Sequence, residues 1–469
     1  MHKKILVALS ALLPLAAQAA ELDGAQLAAW WGVPFIGLLL SIALGPLLAP
    51  AFWHDHFGKI AVVWSLAFLI PCAMAFGVPV AAAGVVHAFL AEYFPFIILL
   101  TALFVVAGGI CLRGHLRGTP AMNTGLLALG TVLASLMGTT GAAMLLIRPV
   151  INANENRKHT VHIVVFFIFL VANAGGALTP LGDPPLFLGF LKGVDFSWTF
   201  KNIFGQTMFM WGALLIIFYL LDNYYFHTKG EELPPKPEPG TPGTHLHFEG
   251  KFNFVLLAVV VALVLMSGFW KPGVTYNIYG TEVELQNLLR DGLLVVVVLL
   301  SLWLTPKAAR EGNDFTWGPI LEVAKLFAGI FVTIAPVIAM LRAGELGAFG
   351  MVVRAVTGAD GQPDNAMYFW ATGVLSSFLD NAPTYLVFFN TASGNAAELM
   401  TTLAATLAAI SCGAVFMGAN SYIGNAPNLM VKAIAEERGI RMPSFFGYMA
   451  WACVVLLPLF VVMTFIFFR

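Results

Sequence analysis

Charge is scarce in this chain. Asp, Glu, Lys and Arg together make up 10% of its 469 residues, against about 25% in soluble domains. That shortage excludes an ordinary soluble globular fold. The formal net charge is −1 and no basic run is present, so no nucleic-acid partner is expected. Cysteine is scarce too: Cys72, Cys111, Cys412 and Cys453 lie singly in or beside apolar segments, without CxxC or metal-type spacing. They read as small buried hydrophobes, with no disulfide framework or metal centre. No Walker-type loop occurs, which leaves ATP-driven pumping unsupported and no cofactor or enzymatic activity expected.

What the chain has is apolar length. Hydrophobic residues make up 59%, Phe alone numbers 39, and the mean hydropathy is +0.84. At ~20 residues per span the length allows about ten to twelve spans, so the fold class is an all-α polytopic protein of the lipid bilayer. Residues 1–20 read as a secretory signal peptide: MHKK is a basic start, ILVALSALLPLA an apolar core and AQAA an A-x-A-type cleavage site. An uncleaved first span is the alternative.

Apolar runs follow at about 28–52, 60–80, 93–112, 121–147, 161–192, 204–226, 252–270, 291–305, 317–341, 366–390, 398–432 and 444–468. If residue 21 starts outside and 121–147 is a re-entrant hairpin, the basic segments 113–118, 148–159, 227–240, 306–314 and 432–441 share one side, the cytoplasm. Lys192, Lys201, Lys271, Arg290, Arg342 and Arg354 are the exceptions. A full crossing by 121–147 would split the basic loops between the two faces. Residues 227–251, rich in Pro, Gly and charge, form an extended, solvated linker between repeat 1 (21–226) and repeat 2 (252–469). His245 and His247 within it, like the HDH at 54–56, read as plain exposed residues.

The two halves repeat. VLASLMGTTGAAML (132–145) aligns with VLSSFLDNAPTYLV (374–387), and GGALTPLGDPPLFL (175–188) with MGANSYIGNAPNLM (417–430). The offset is constant, 374 − 132 = 417 − 175 = 242, and Ser135/Ser377, Gly176/Gly418, Gly182/Gly424 and Pro185/Pro427 are retained. Upstream, 92–114 resembles 321–344 at a slightly different offset. Each half then holds three spans, a re-entrant hairpin, a span broken by Gly and Pro, and a final span. Five crossings is odd, so the second half inserts upside down. Inverted repeats with broken helices at corresponding places are the design of secondary transporters.

The paired tips GTTG/DNAP and breaks GGALTPLGDPP/GANSYIGNAPN resemble those of the ion-transporter superfamily: arsenite permeases, NhaD-type sodium/proton antiporters, and citrate and dicarboxylate transporters. The pattern is most similar to a subgroup labelled citrate transporters or sodium/proton antiporters. That resemblance implies an elevator-type transporter with a scaffold, often a homodimer, and a moving domain of hairpins and broken helices. The Ser-Asn-Thr tips typical of the dicarboxylate carriers are absent.

Asp183 and Asp380 are the acids at the tips and breaks, where an ionised Asp costs roughly 2.5–3.5 kcal/mol at a helix centre. Each could also cap a half-helix. Asp183 aligns with Asn425 and Asp380 with Gly138, so each equivalent pair keeps one acid. Neutral oxygens and amides accompany them: Asn173, Thr179, Thr139, Thr140, Asn381, Thr384, Asn420, Ser421, Asn425 and Asn428. Such hard donors suit Na⁺, although broken helices also need them for freed backbone groups. Glu322 and Lys325, three apart on one helix face, are either a pair that neutralises itself or snorkels to the interface, or a source of charge compensation. Arg148 reads as a cytoplasmic anchor. The function expected is Na⁺/H⁺ antiport across the bacterial inner membrane, with Na⁺ and H⁺ competing at Asp183 and Asp380. Citrate, another organic anion or arsenite is the alternative cargo. An intramembrane aspartyl protease is a remote one, resting on the LGD at 181–183.

Overall fold

The computed structural model describes residues 22–231, 233 and 245–469. The expected signal peptide and the middle of the linker lie outside these residues. Within a bilayer each backbone N–H and C=O must be satisfied by the chain itself, which favours helices. Among the described residues nine helices are long and apolar enough to cross a membrane, or ten when a bent pair counts as one span. The chain is an all-α polytopic membrane protein with two short two-stranded sheets.

The first half opens with α1 (Val33–Leu48), α2 (Pro50–Phe76) and α3 (Val78–Ala107). α2 and α3 begin 10 to 15 residues before the expected 60 and 93. Pro50 and Pro79 sit in first helical turns, where no amide donor is needed. Gly77, at φ +93°, makes the tight connection between them. The HDH at 54–56 is therefore helical. α3 carries a π turn at Ala88–Tyr93.

α4 (Pro120–Met137) and α5 (Thr139–Ala153) pack on each other across Gly138, whose φ of +79° disfavours any side chain. This hairpin runs six residues past the expected end at 147. α6 (Val161–Leu170) and α7 (Pro184–Leu191) flank the break, and α8 (Phe204–Thr228) closes the half.

The second half repeats the order: α9 (Phe252–Phe269), α10 (Leu285–Leu304), α11 (Gly318–Thr333) and α12 (Ala335–Arg342). Then come α13 (Asn365–Phe378) and α14 (Asn381–Ala392), the broken pair α15 (Ala404–Met417) and α16 (Ala426–Glu437), and α17 (Phe445–Phe467). α11 and α12 meet at 44°, because Pro336 removes the amide that would have continued the ladder. The span expected at 317–341 is present as this bent pair. The linker's far end is not free either: β2 (His247–Glu249) pairs with β1 (Cys111–Arg113).

Packing sorts the helices into two groups. α2, α3, α9, α10 and α11 lie against one another, with Phe96 of α3 stacked 4.7 Å from Phe327 of α11. The hairpins and broken helices interlock across the halves, α7 on α14 and α5 on α16. A cavity of about 520 Å³ is lined by residues of both groups.

Candidate functional site

The break in the first half is surrounded by protein, as exposed non-helical backbone would require. Of the stretch Val161–Leu178, 94% is buried. Side chains take up its freed carbonyls one by one. Asn173 Nδ2 donates to Ile168 O at 2.8 Å, Asn425 Nδ2 to Ala172 O at 3.1 Å and Trp211 Nε1 to Ala174 O at 2.8 Å. Ser135 Oγ donates to Gly175 O at 2.5 Å, and Thr199 Oγ1 to Leu178 O at 2.9 Å.

The second break is built the same way. Ser377 Oγ donates to Met417 O at 3.1 Å, the bond 242 residues on from Ser135–Gly175. Thr179 Oγ1 donates to Ser135 O and accepts from Leu181 N; Ser421 Oγ donates to Ser377 O and accepts from Ile423 N. In each half two glycines touch where a side chain could not. A Cβ on Gly182 would lie 2.2 Å from Gly176 O, and one on Gly424 2.5 Å from Gly418 O.

Within this frame Asp183 is buried and receives three hydrogen bonds. Thr139 Oγ1 and Asn425 Nδ2 donate to Oδ1, each at 3.1 Å, and Asn381 Nδ2 donates to Oδ2 at 2.5 Å. The donors come from the start of α5, the start of α14 and the second break, so both halves build the site. Asp183 precedes α7, but its side chain makes no capping bond there. Asp380 does cap: its Oδ1 accepts from Ala382 N at 3.0 Å at the start of α14. Of the capping alternative for the two acids, the structure shows a cap at Asp380 and none at Asp183.

The neutral residues divide by task. Thr139, Asn381 and Asn425 turn to Asp183. Asn173 and Asn428 form a bridge behind them, Asn173 Nδ2 donating to Asn428 Oδ1 at 2.7 Å. Asn428 also donates to Gly418 O and Ser421 O. Thr179, Ser421 and Asn420, the last donating to Ser377 Oγ, brace the breaks. Thr384 bonds back to Asp380 O, and Thr140 lines the cavity. Asn381 Oδ1 is a buried acceptor without a hydrogen-bond partner among the described residues.

Asp183 and Asp380 line the cavity together with Glu322, Glu437 and His54, and no Lys or Arg is among its described lining residues. Glu437 and His54 were not anticipated, because both fall in stretches whose charges read as loop or exposed residues. Glu322 accepts from Trp53 Nε1 at 3.3 Å. Lys325 is not brought to either Asp: its Nζ lies 5.2 Å over the Phe57 ring, where α11 packs on α2. No ion pair joins it to Glu322 among the described residues, so the self-neutralising pair does not form. Arg148 pairs with Asp314 at 3.0 Å.

A family profile described as "Putative citrate transport" matches residues 24–468. No curated protein matches the chain.

Proposed function

The chain belongs to that citrate-transport family and is a multi-pass secondary transporter; for its cargo we propose exchange of Na⁺ for H⁺ at Asp183. The observation that carries this is the charge of the cavity: four carboxylates and no Lys or Arg among its described lining residues. A cavity of about 520 Å³ would admit citrate as readily as a hydrated cation, so charge discriminates where volume does not. Citrate carries up to three carboxylates and would meet four more. Na⁺ would find hard oxygens on Asp183, Asn381 Oδ1 and the neighbouring hydroxyls.

Coupling follows from burial. An ionised carboxylate without a counter-charge is costly in a low-dielectric interior. Asp183 loaded with either Na⁺ or H⁺ is neutral and can cross between the two faces, while the empty ionised form is held back. One cation then moves only in exchange for the other. Asp380, with its side chain on the cavity wall, is the second acid at which the two compete.

The 242-residue correspondence supports inverted repeats at 21–226 and 252–469. The two packing groups support an elevator in which hairpins and broken helices slide along a scaffold, in a homodimer of the bacterial inner membrane. With the basic loops in the cytoplasm, Gly318, Glu322, Ile434 and Glu437 lie at the cytoplasmic end, and the cavity opens there.

Citrate import is the second reading, favoured by the description of the family. Everted vesicles separate the two. Added Na⁺ should dissipate a preformed ΔpH in vesicles with the intact chain and fail to do so with Asp183→Asn. Vesicles in which Na⁺ and Li⁺ have no effect while citrate is taken up would end the antiport proposal.

A further inference from the structure

Glu92 is a buried carboxylate inside the π turn of α3, and Lys192 ends α7 at the exit of the first break. Their side chains, 10% and 20% exposed, form an ion pair, and His87 Nε2 stands 3.9 Å from the same carboxylate. A π turn shifts the register of every following side chain and is commonly found where a helix serves function. Lys192 at a helix C-terminus also meets the negative end of the α7 dipole. The pair joins the α3 group to the group of hairpins and broken helices; in the topology proposed above it lies toward the outer face, away from Glu322 and Glu437.

The repeat shows what the other end lacks. The upstream spans match at offsets of 229 to 230: Leu112 and Arg113 match Leu341 and Arg342 at 229, while Gly114 matches Gly344 and Glu92 matches Glu322 at 230. Lys192 corresponds at 192 + 242 = 434 to Ile434. Glu322 and Ile434 line the same cavity, one from α11 and the other from α16. So the acid is kept in both halves and the lysine in one. The nearby Lys432 is engaged elsewhere, bonding Glu436 at 2.7 Å and lying over the Tyr422 ring.

We propose that Glu92 and Lys192 form a latch on the outer side that holds the transporter open to the cytoplasm, while the place matching Lys192 at the cytoplasmic mouth has no lysine; the Arg148–Asp314 pair, which joins α5 to the segment before α11 on the cytoplasmic side, holds the same state. They are positioning residues of the transport cycle: they set how often the outer side opens and do not touch the cargo. For a cation exporter this places the waiting carrier on the side where the cation is collected. The inference rests on the alternating-access part of the proposed function and is independent of which cargo is carried.

Leu188 reports outer opening. It is buried at 2% exposure, and its counterpart at 188 + 242 = 430, Met430, lines the present cavity. In Leu188→Cys, labelling by a membrane-impermeant maleimide from outside should be slow, its rate tracking the rare outward-open state. The chain without the added cysteine supplies the background. Adding Lys192→Gln should raise that rate roughly fivefold, the scale of one partly exposed ion pair. The charge swap Glu92→Lys with Lys192→Glu should bring the rate part of the way back, since it re-forms the pair but places a carboxylate at the C-terminus of α7. Ile434→Lys, which gives Glu322 the missing partner, should raise outside labelling as well, by stabilising closure of the cytoplasmic mouth.

An unchanged rate in both Lys192→Gln and Ile434→Lys, with the parent measurably labelled, would overturn the latch and leave alternating access intact. No outside labelling in any variant would overturn alternating access itself.

Discussion

Asn425 Nδ2 donates to Asp183 Oδ1 at 3.1 Å, and the two residues hold the same place in the two halves, 425 − 183 = 242. The site therefore lies where the pseudo-symmetric breaks meet. The other two donors to Asp183, Thr139 and Asn381, are themselves equivalent, 381 − 139 = 242. One acid is thus held by its own counterpart and by one further matched pair. Four residues in matched positions thus share a single carboxylate.

Because the frame is symmetric, the acid should be movable. Asp183→Asn is expected to lower Na⁺-dependent proton exchange at least about 100-fold without lowering thermal stability, since a buried charge is removed and the Asn381 amide can flip to present its Oδ1 to the new donor. Adding Asn425→Asp should return activity to within about tenfold of the parent, the charge now sitting on the equivalent residue. Exchange rates in vesicles and melting of the detergent-solubilised protein check both parts.

Asp380 combines a cap with a charge, and two substitutions separate them. Asn is as good an N-cap as Asp, while Ala loses about 1 kcal/mol of helix stability. Asp380→Asn is expected to reduce transport at unchanged melting temperature, and Asp380→Ala to reduce both. Equal transport by Asp380→Asn and the parent would assign Asp380 to capping alone.

The glycine contacts predict damage from a single methyl group. Gly182→Ala and Gly424→Ala would push a Cβ against the carbonyl oxygens of Gly176 and Gly418, at 2.2 and 2.5 Å. Backbone atoms cannot yield as a flexible side chain can, so each should cost roughly 1–3 kcal/mol and lower the yield of folded protein. Fluorescence-detected gel filtration after a heating series measures the loss. Gly84→Ala, with open space around its Cβ, is the control and should be neutral.

Competition between Na⁺ and H⁺ for one carboxylate sets the sign of the pH dependence. Raising pH removes the competing proton, so the apparent KM for Na⁺ should fall, by up to about tenfold per pH unit while the site is mainly protonated. At still higher pH the maximal rate should drop as the returning proton becomes limiting. A KM for Na⁺ that is flat from acid to alkaline pH contradicts a shared site.

The sequence located the breaks and hairpin tips well, because Gly and Pro at one repeated offset are a local signal. It named Asp183 and each of the three residues that hydrogen-bond it. What it missed depends on contacts between distant segments. Arg157, in a stretch taken for a basic solvent loop, is buried against Asp222 at 2.5 Å, 65 residues away. His162 Nε2 lies 2.8 Å from the same carboxylate and Asn123 donates to it at 2.9 Å. Nothing local marks that network. Likewise Lys192 looked like a stray outer lysine, since its partner Glu92 lies 100 residues earlier in a π turn that leaves no mark in an apolar run. The i,i+3 spacing of Glu322 and Lys325 suggested a pair, but Phe57 of the neighbouring helix decided where the lysine went.

The most direct test is uptake of radiolabelled sodium into proteoliposomes of the purified chain, driven by an acid interior. Uptake should follow the pH gradient, be insensitive to excess citrate and disappear in Asp183→Asn. Accumulation of labelled citrate by the same vesicles, with no sodium entry at any gradient, would contradict cation exchange at Asp183.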